Sequence, residues 1–224
     1  MTEHRAGMYR GALLLLCALC AAGMVHAQPV RDVRMARDLV EVVTLDSTIH
    51  LDIRYATPKN FMGRQMYSSA RAFLQRPAGE ALVRAHKALQ KAGYGLLVFD
   101  GYRPWTVTKQ FWDATPPALR KFVASPVKGS KHNRGCAVDL SLYDLKSGNE
   151  VEMPTPFDEF SSRAAGSYQG GTPQQRRMRS LLRTAMLAEG FTAEPSEWWH
   201  FDYRDWRRYP LLDVPFESLP AVTR

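Results

Sequence analysis

Ser130-Lys131-His132-Asn133-Arg134-Gly135-Cys136-Ala137-Val138-Asp139 is the stretch on which the reading of this chain turns. Asp139 lies between Val138 and Leu140 in an apolar run, Ala137 to Tyr143, that reads as a strand. A lone carboxylate is expensive to bury there unless it is paired or bound to a metal. His132 precedes it across Gly135, which permits the tight turn that brings the two side chains together. A second motif, Glu197-Trp198-Trp199-His200, adds an imidazole and a carboxylate. Side chains alternate across a strand, so Glu197 and His200 share a site only if Glu197 ends a turn and His200 begins the strand. His132, Asp139 and His200 would then form the donor set of a zinc hydrolase with an open fourth position, and Glu197 the base beside it. Taken alone, His132 or Asp139 is more often a structural residue, a packed His or a buried Asp capping a turn, and Glu197 has the alternative of a surface carboxylate next to a core Trp.

Outward from these motifs, helices and strands mix without a regular βαβ alternation. Val40 to Leu45 and Ile49 to Tyr55 are rich in β-branched residues and read as strands around Asp46-Ser47-Thr48. Ala78 to Lys91 reads as a helix with Leu82, Ala85, His86 and Leu89 on one face and Gly93 as its stop. Gly95 to Phe99 is an apolar run with the character of a central strand, ending in the turn Asp100-Gly101-Tyr102-Arg103-Pro104. Thr106 to Ala124 reads as helical, interrupted at Pro116-Pro117, and Pro154 to Gly171 as a loop. Pro173 to Glu189 is amphipathic, with Met178, Leu181, Leu182 and Ala185 inward and Gly190 as its stop, and Trp198 to Tyr203 is a last strand. The fold class predicted is α+β with a mostly antiparallel sheet.

The first residues read as a targeting segment. Arg5 and Arg10 precede an apolar run from Gly11 to Val25, and Val25-His26-Ala27 places small residues at a cleavage site before Gln28. The run is shorter than the ~20 residues of a membrane span, which favours a signal peptide over residues 1–27 and one domain over 28–224, with no stable membrane insertion after cleavage. Cys17 and Cys20 leave with it, so of three cysteines only Cys136 remains and no internal disulfide forms. The expected compartment is the periplasm or the exterior. The formal charge of +8 is spread along the chain, apart from Arg176, Arg177 and Arg179 on one helix face, and no nucleic-acid motif accompanies it. Cys136, His50 and His86 read as packing or surface residues; Tyr102 and Tyr168 are candidates to line a pocket.

The order Ser-x-His-x-x-Gly-x-Ala-x-Asp then Glu-x-Trp-His resembles the zinc DD-peptidases of the hedgehog/DD-peptidase-like fold. Further segments resemble the VanX-type D-alanyl-D-alanine dipeptidases within that group: Arg54 to Thr57 with Asn60, Phe61 and Gly63; Tyr94 to Leu97 running into Asp100 to Pro104; Met153 to Asp158; and Gly190-Phe191. The likeness spans about residues 40–210. It implies one Zn²⁺ held by His132, Asp139 and His200; Glu197 as general base and then acid; Arg103 stabilising the oxyanion; Asp158 holding the ammonium of a D-Ala-D-Ala substrate; and Ser130 lining the substrate pocket. One departure is Pro154, after Met153, where the family commonly has glycine, so the loop leading to Asp158 is expected to run differently. The leader is another, and it points to wall turnover or dipeptide scavenging instead of glycopeptide resistance. The rival readings are a zinc D,D- or L,D-carboxypeptidase trimming peptidoglycan stem peptides, and a non-catalytic wall-binding module.

Overall fold

The computed structural model describes residues 28–219, so the leader read at residues 1–27 lies outside the described residues. Strand β1 (Leu39–Glu41) runs directly into a one-turn helix α1 (Val42–Leu45), and strand β2 (His50–Leu51) follows. Strand β3 (Phe73–Gln75) leads into helix α2 (Arg76–Gln90), strand β4 (Tyr94–Asp100) and helix α3 (Trp105–Ala114). Strand β5 (Ala137–Asp144), helix α4 (Pro173–Ala188) and strands β6 (Phe191–Ala193) and β7 (His200–Tyr203) complete the order.

The main sheet has the order β2-β4-β5-β7-β6. Only β2 and β4 pair in parallel; the other neighbours are antiparallel, as the α+β reading expected. Helix α2 packs on β4, α4 packs on β5 and β6, and the two helices pack on each other. The inward face of α2, Ala78, Ala81, Leu82, Ala85 and Leu89, is fully buried. His86 is buried with it and accepts the Leu96 backbone N–H at 3.0 Å, which ties the helix to the sheet. Pro173, together with a capping box between Thr172 and Gln175, starts α4; Gly190, at φ +86°, stands just beyond its end.

The two strands expected around Asp46-Ser47-Thr48 form only in part, as β1 before α1 and the two residues of β2. Val42 donates its N–H to Ala72 O, and Asp46 donates back to Val42 O, which closes a helical turn where a strand was expected. The β-branched residues satisfy burial elsewhere: β1 pairs with β3, and β2 joins β4. The last strand is shorter than expected, because Trp198 and Trp199 belong to the turn before it.

Register places the chemistry. Asp100 at the end of β4 stands opposite Asp139 of β5, and Asp139 stands opposite His200, the first residue of β7. Three strands therefore present one row of ionisable residues at one end of the sheet. The loop 101–104 and the 3-10 turn His132–Arg134 close over that end, held by Arg103 N–H to His132 O at 3.1 Å.

Candidate active site

His132, Asp139 and His200 converge as the motifs predicted, with one ligand atom from each within 4.8 Å of the others. His132 Nε2 lies 3.1 Å from His200 Nδ1 and 3.4 Å from Asp139 Oδ1, and His200 Nδ1 lies 2.9 Å from Asp139 Oδ1. The nitrogens facing inward are held in place by what the outer nitrogens meet. His132 Nδ1 is 2.7 Å from Gly101 O, and His200 Nε2 is 3.0 Å from Asp202 Oδ1, whose other oxygen is 2.5 Å from Lys131 Nζ. A ligand imidazole with its second nitrogen committed to a carbonyl or carboxylate is the usual support of a metal site. Burial works to raise the Asp139 carboxyl, but the two histidines outweigh it and hold it well below the usual carboxylate range. Two imidazoles and an ionised carboxylate fit a zinc-like divalent ion by donor chemistry and by convergence.

Glu197 ends the turn 194–197, its N–H donating to Glu194 O at 3.3 Å, and His200 opens β7, the arrangement that spacing required. Glu197 Oε2 is 3.8 Å from His200 Nδ1, and burial pushes its carboxyl up to about 7. The tryptophans between them are buried: Trp198 Nε1 donates to Thr155 Oγ1 at 3.0 Å, and Trp199 meets Phe157 edge-on at 5.4 Å. These contacts pin the loop 153–158 to the Glu197 turn despite Pro154.

Asp158 ends that loop in the left-handed region, φ +61°, a conformation Asp tolerates better than most residues. Its Oδ2 accepts the Tyr55 hydroxyl at 2.8 Å. Burial drives its carboxyl up to about 8, with the Tyr55 hydrogen bond acting in the opposite direction. Arg103 is buried, not a surface residue of the turn. It donates from Nε and Nη2 to Asp100 Oδ2 at 3.0 and 2.7 Å, and Nη2 lies 3.8 Å from Asp139 Oδ2. Asp100 is completed by Tyr67 OH at 2.7 Å. Ser130 borders the cavity and its Oγ accepts the His132 N–H at 3.2 Å, so it also orients the ligand loop.

All seven residues line or border one cavity of about 460 Å³. Tyr102 does not line it: its hydroxyl is buried against the Val214 backbone at 2.9 Å. Tyr168 stands outside it too, while Tyr55 contributes the phenol. Cys136 is buried and its thiol is pushed up to about 12 by burial, as befits a packing residue. His50 stacks on Tyr143 at 3.8 Å, away from the site. The reading of the motifs missed Tyr55, Asp100, Lys131 and Asp202 as supporting residues. Asp202 alone carried a local signal, since residues two apart on a strand share a face with His200.

Three protein ligands with a separate carboxylate beside them, at one end of a mostly antiparallel α+β sheet, define a metal-dependent hydrolase. Comparison with known proteins narrows the class. The chain belongs to the D-ala-D-ala dipeptidase family of M15 peptidases, whose model matches residues 35–217. It is 34% identical over 179 residues to the D-alanyl-D-alanine dipeptidase of Escherichia coli K12, covering 80% of this chain and 91% of that one. It is also 34% identical over 197 residues to the enzyme of that name from Enterococcus faecium, covering 76% and 96%. Among solved structures, the vancomycin-resistance D,D-dipeptidase VanXYg with a D-Ala-D-Ala phosphinate analogue aligns at TM-score 0.42 and 20% identity, covering 61% of this chain and 53% of that one.

Proposed function

We propose that this protein hydrolyses the D-alanyl-D-alanine dipeptide to two D-alanines, using one Zn²⁺ per chain held by His132, Asp139 and His200. The observation that carries this reading is the pair of half-buried Asp158 and buried Tyr55 in the same cavity as the His-Asp-His cluster. A carboxylate set in an apolar wall at that position fits the free ammonium of a dipeptide, and a longer chain has no such charge to offer it. D-configuration rests on the family relatives.

A zinc ion in the cluster would polarise the scissile carbonyl and lower the pKa of a water to about 7. Every other role falls to side chains. Glu197 takes a proton from the attacking water and returns it to the leaving amine. Arg103, held rigid by Asp100, faces the charge that grows on the carbonyl oxygen, where preorganised donors count most. Asp158 and Tyr55 fix the ammonium end, and Ser130 lines the pocket while keeping the His132 loop in place. Phe61, Phe111 and Trp199 help keep bulk water from the ammonium end.

The leader over residues 1–27 and the catalytic domain over 28–224 together point to export to the periplasm and to a part in cell-wall dipeptide turnover. In support, no helix among the described residues is long and apolar enough to cross a membrane. The deciding experiment is D-alanine release by the zinc-loaded protein from D-Ala-D-Ala, from L-Ala-L-Ala and from a longer peptide ending in D-Ala-D-Ala. Turnover of the D-dipeptide alone is expected. Release from the longer peptide would move the protein to the carboxypeptidases, and silence on all three with zinc bound would leave a wall-binding module.

A further inference from the structure

The cavity is strongly polarised. One end is the Asp158–Tyr55 pair among aromatic rings. The opposite end lies beyond His200, where Lys131 is bonded to Asp202 and Asp202 to the outer nitrogen of His200. Cations gather there around a single ring. Trp206 lines the cavity and has Arg207, Arg134 and Lys131 at 4.3, 5.4 and 5.6 Å from its ring centre. Lys128, exposed, lines the same cavity. Acidic groups do not balance this shelf. Asp202 neutralises Lys131, and Asp205 adjoins the ring in sequence, while Glu194 lies before the Glu197 turn and bonds Ser196 Oγ at 3.0 Å.

A dipeptide whose ammonium is at Asp158 and whose peptide bond is at the cluster has the Trp206 part of the same cavity left for its C-terminal residue. Arg103, held by Asp100, is assigned to the scissile carbonyl oxygen in this reading, so the terminal carboxylate falls to other cations. One α-carboxylate uses one cation. Lys128 and Arg134, which both line the cavity, already exceed that need, Arg207 stands over the Trp206 ring beside them, and the volume of about 460 Å³ exceeds what a dialanine fills.

Resting on the dipeptidase reading, we infer that the Trp206 shelf is a specificity site for the leaving residue, and that it favours dipeptides whose C-terminal residue carries a second carboxylate in its side chain. Trp206 supplies a flat apolar surface for the side-chain methylenes, and Lys128, Arg134 and Arg207 supply the opposite charge. The substrate class is thus an N-terminal D-alanine joined to D-alanine or to an acidic D-residue.

The test compares kcat/KM of the full zinc-loaded protein on D-Ala-D-Ala, D-Ala-D-Glu and D-Ala-D-Gln. The last two have nearly equal size and differ in charge. A preference of about five- to tenfold for D-Glu over D-Gln is expected, the scale of a partly exposed charge-assisted contact. The ratio should fall toward one in 0.5 M salt and invert in the surface double variant Lys128→Glu/Arg207→Glu. Both substituted residues are exposed, so folding is not at stake. Equal or poorer use of D-Ala-D-Glu by the wild-type protein, with D-Ala-D-Ala still turned over, overturns the inference and leaves the dipeptidase reading standing. Loss of all three activities with zinc bound overturns both.

Discussion

Tyr55 donates its hydroxyl to Asp158 Oδ2 at 2.8 Å across 103 positions of sequence, and this contact fixes the carboxylate at the end of the cavity proposed to take the substrate ammonium. Tyr55 is itself buried in a ring cluster, with Phe111 at 4.8 Å and Tyr67 at 5.7 Å between centroids. The half-buried carboxylate is therefore held by a rigid donor.

A pH dependence follows from that environment. Burial lifts the Asp158 carboxyl from 3.8 to about 8, with Tyr55, Asp139, Arg103 and Glu197 the groups that face it. Only the ionised form pairs with an ammonium, so KM for D-Ala-D-Ala should rise as pH falls below about 8, more than kcat changes. Asp158→Asn should raise KM about 100-fold, the effect of leaving a buried charge unpaired, and should flatten that pH dependence. Steady-state kinetics between pH 6 and 9 decide it.

Stability responds in the opposite sense. Because the folded-state value lies above the unfolded one, the protonated group's advantage is complete below about pH 4 and is lost as pH rises toward 8. Asp158→Asn should therefore raise Tm, and by more at pH 9 than at pH 5. Asn also tolerates φ +61°, so the backbone should not oppose the change. Thermal melts at the two pH values measure the difference.

Glu197→Gln should lower kcat by about 10²- to 10⁴-fold, the share of general acid–base catalysis, while metal content stays at one per chain. Glu197 lies outside the His-Asp-His cluster, so losing its charge removes a proton carrier and no ligand. Elemental analysis beside kinetics separates the two effects. A variant that lost its metal would instead make Glu197 a ligand.

Asp202→Asn should weaken zinc binding by about 10- to 100-fold, the usual effect of removing a carboxylate behind a ligand histidine. The amide still reaches His200 Nε2, but it carries no charge and no longer pairs with Lys131. Competition with a chromophoric chelator reads the affinity directly and does not depend on turnover.

Arg103→Ala should cost about 3–5 kcal/mol of stability, because it leaves the fully buried Asp100 without its partner, and it should also lower kcat by about 10²- to 10³-fold through loss of the oxyanion donor. Arg103→Lys should restore much of the stability and little of the rate, since an ammonium cannot reproduce the bidentate contact. Urea unfolding and kinetics on both variants separate holding from catalysis.

Much was legible in the order of residues alone. The His132–Asp139 and Glu197–His200 motifs carried their donor chemistry locally, and helices α2 and α4 carried their periodicity and glycine stops within a single segment. Such features are short-range, and short-range preferences are written in adjacent residues. The condition that Glu197 end a turn and His200 begin a strand was likewise a local constraint, and the fold obeys it.

Tertiary structure alone decided the rest. Val40 to Tyr55 has the composition of two strands, but their partners are β3 and β4, because strand preference records fit to a half-buried surface and that surface is made by distant residues. Asp100 behind Arg103, Tyr55 behind Asp158 and Lys131 behind Asp202 are partnerships that folding creates. A buried charge must find a counter-group, but only the packed chain determines which one comes within reach.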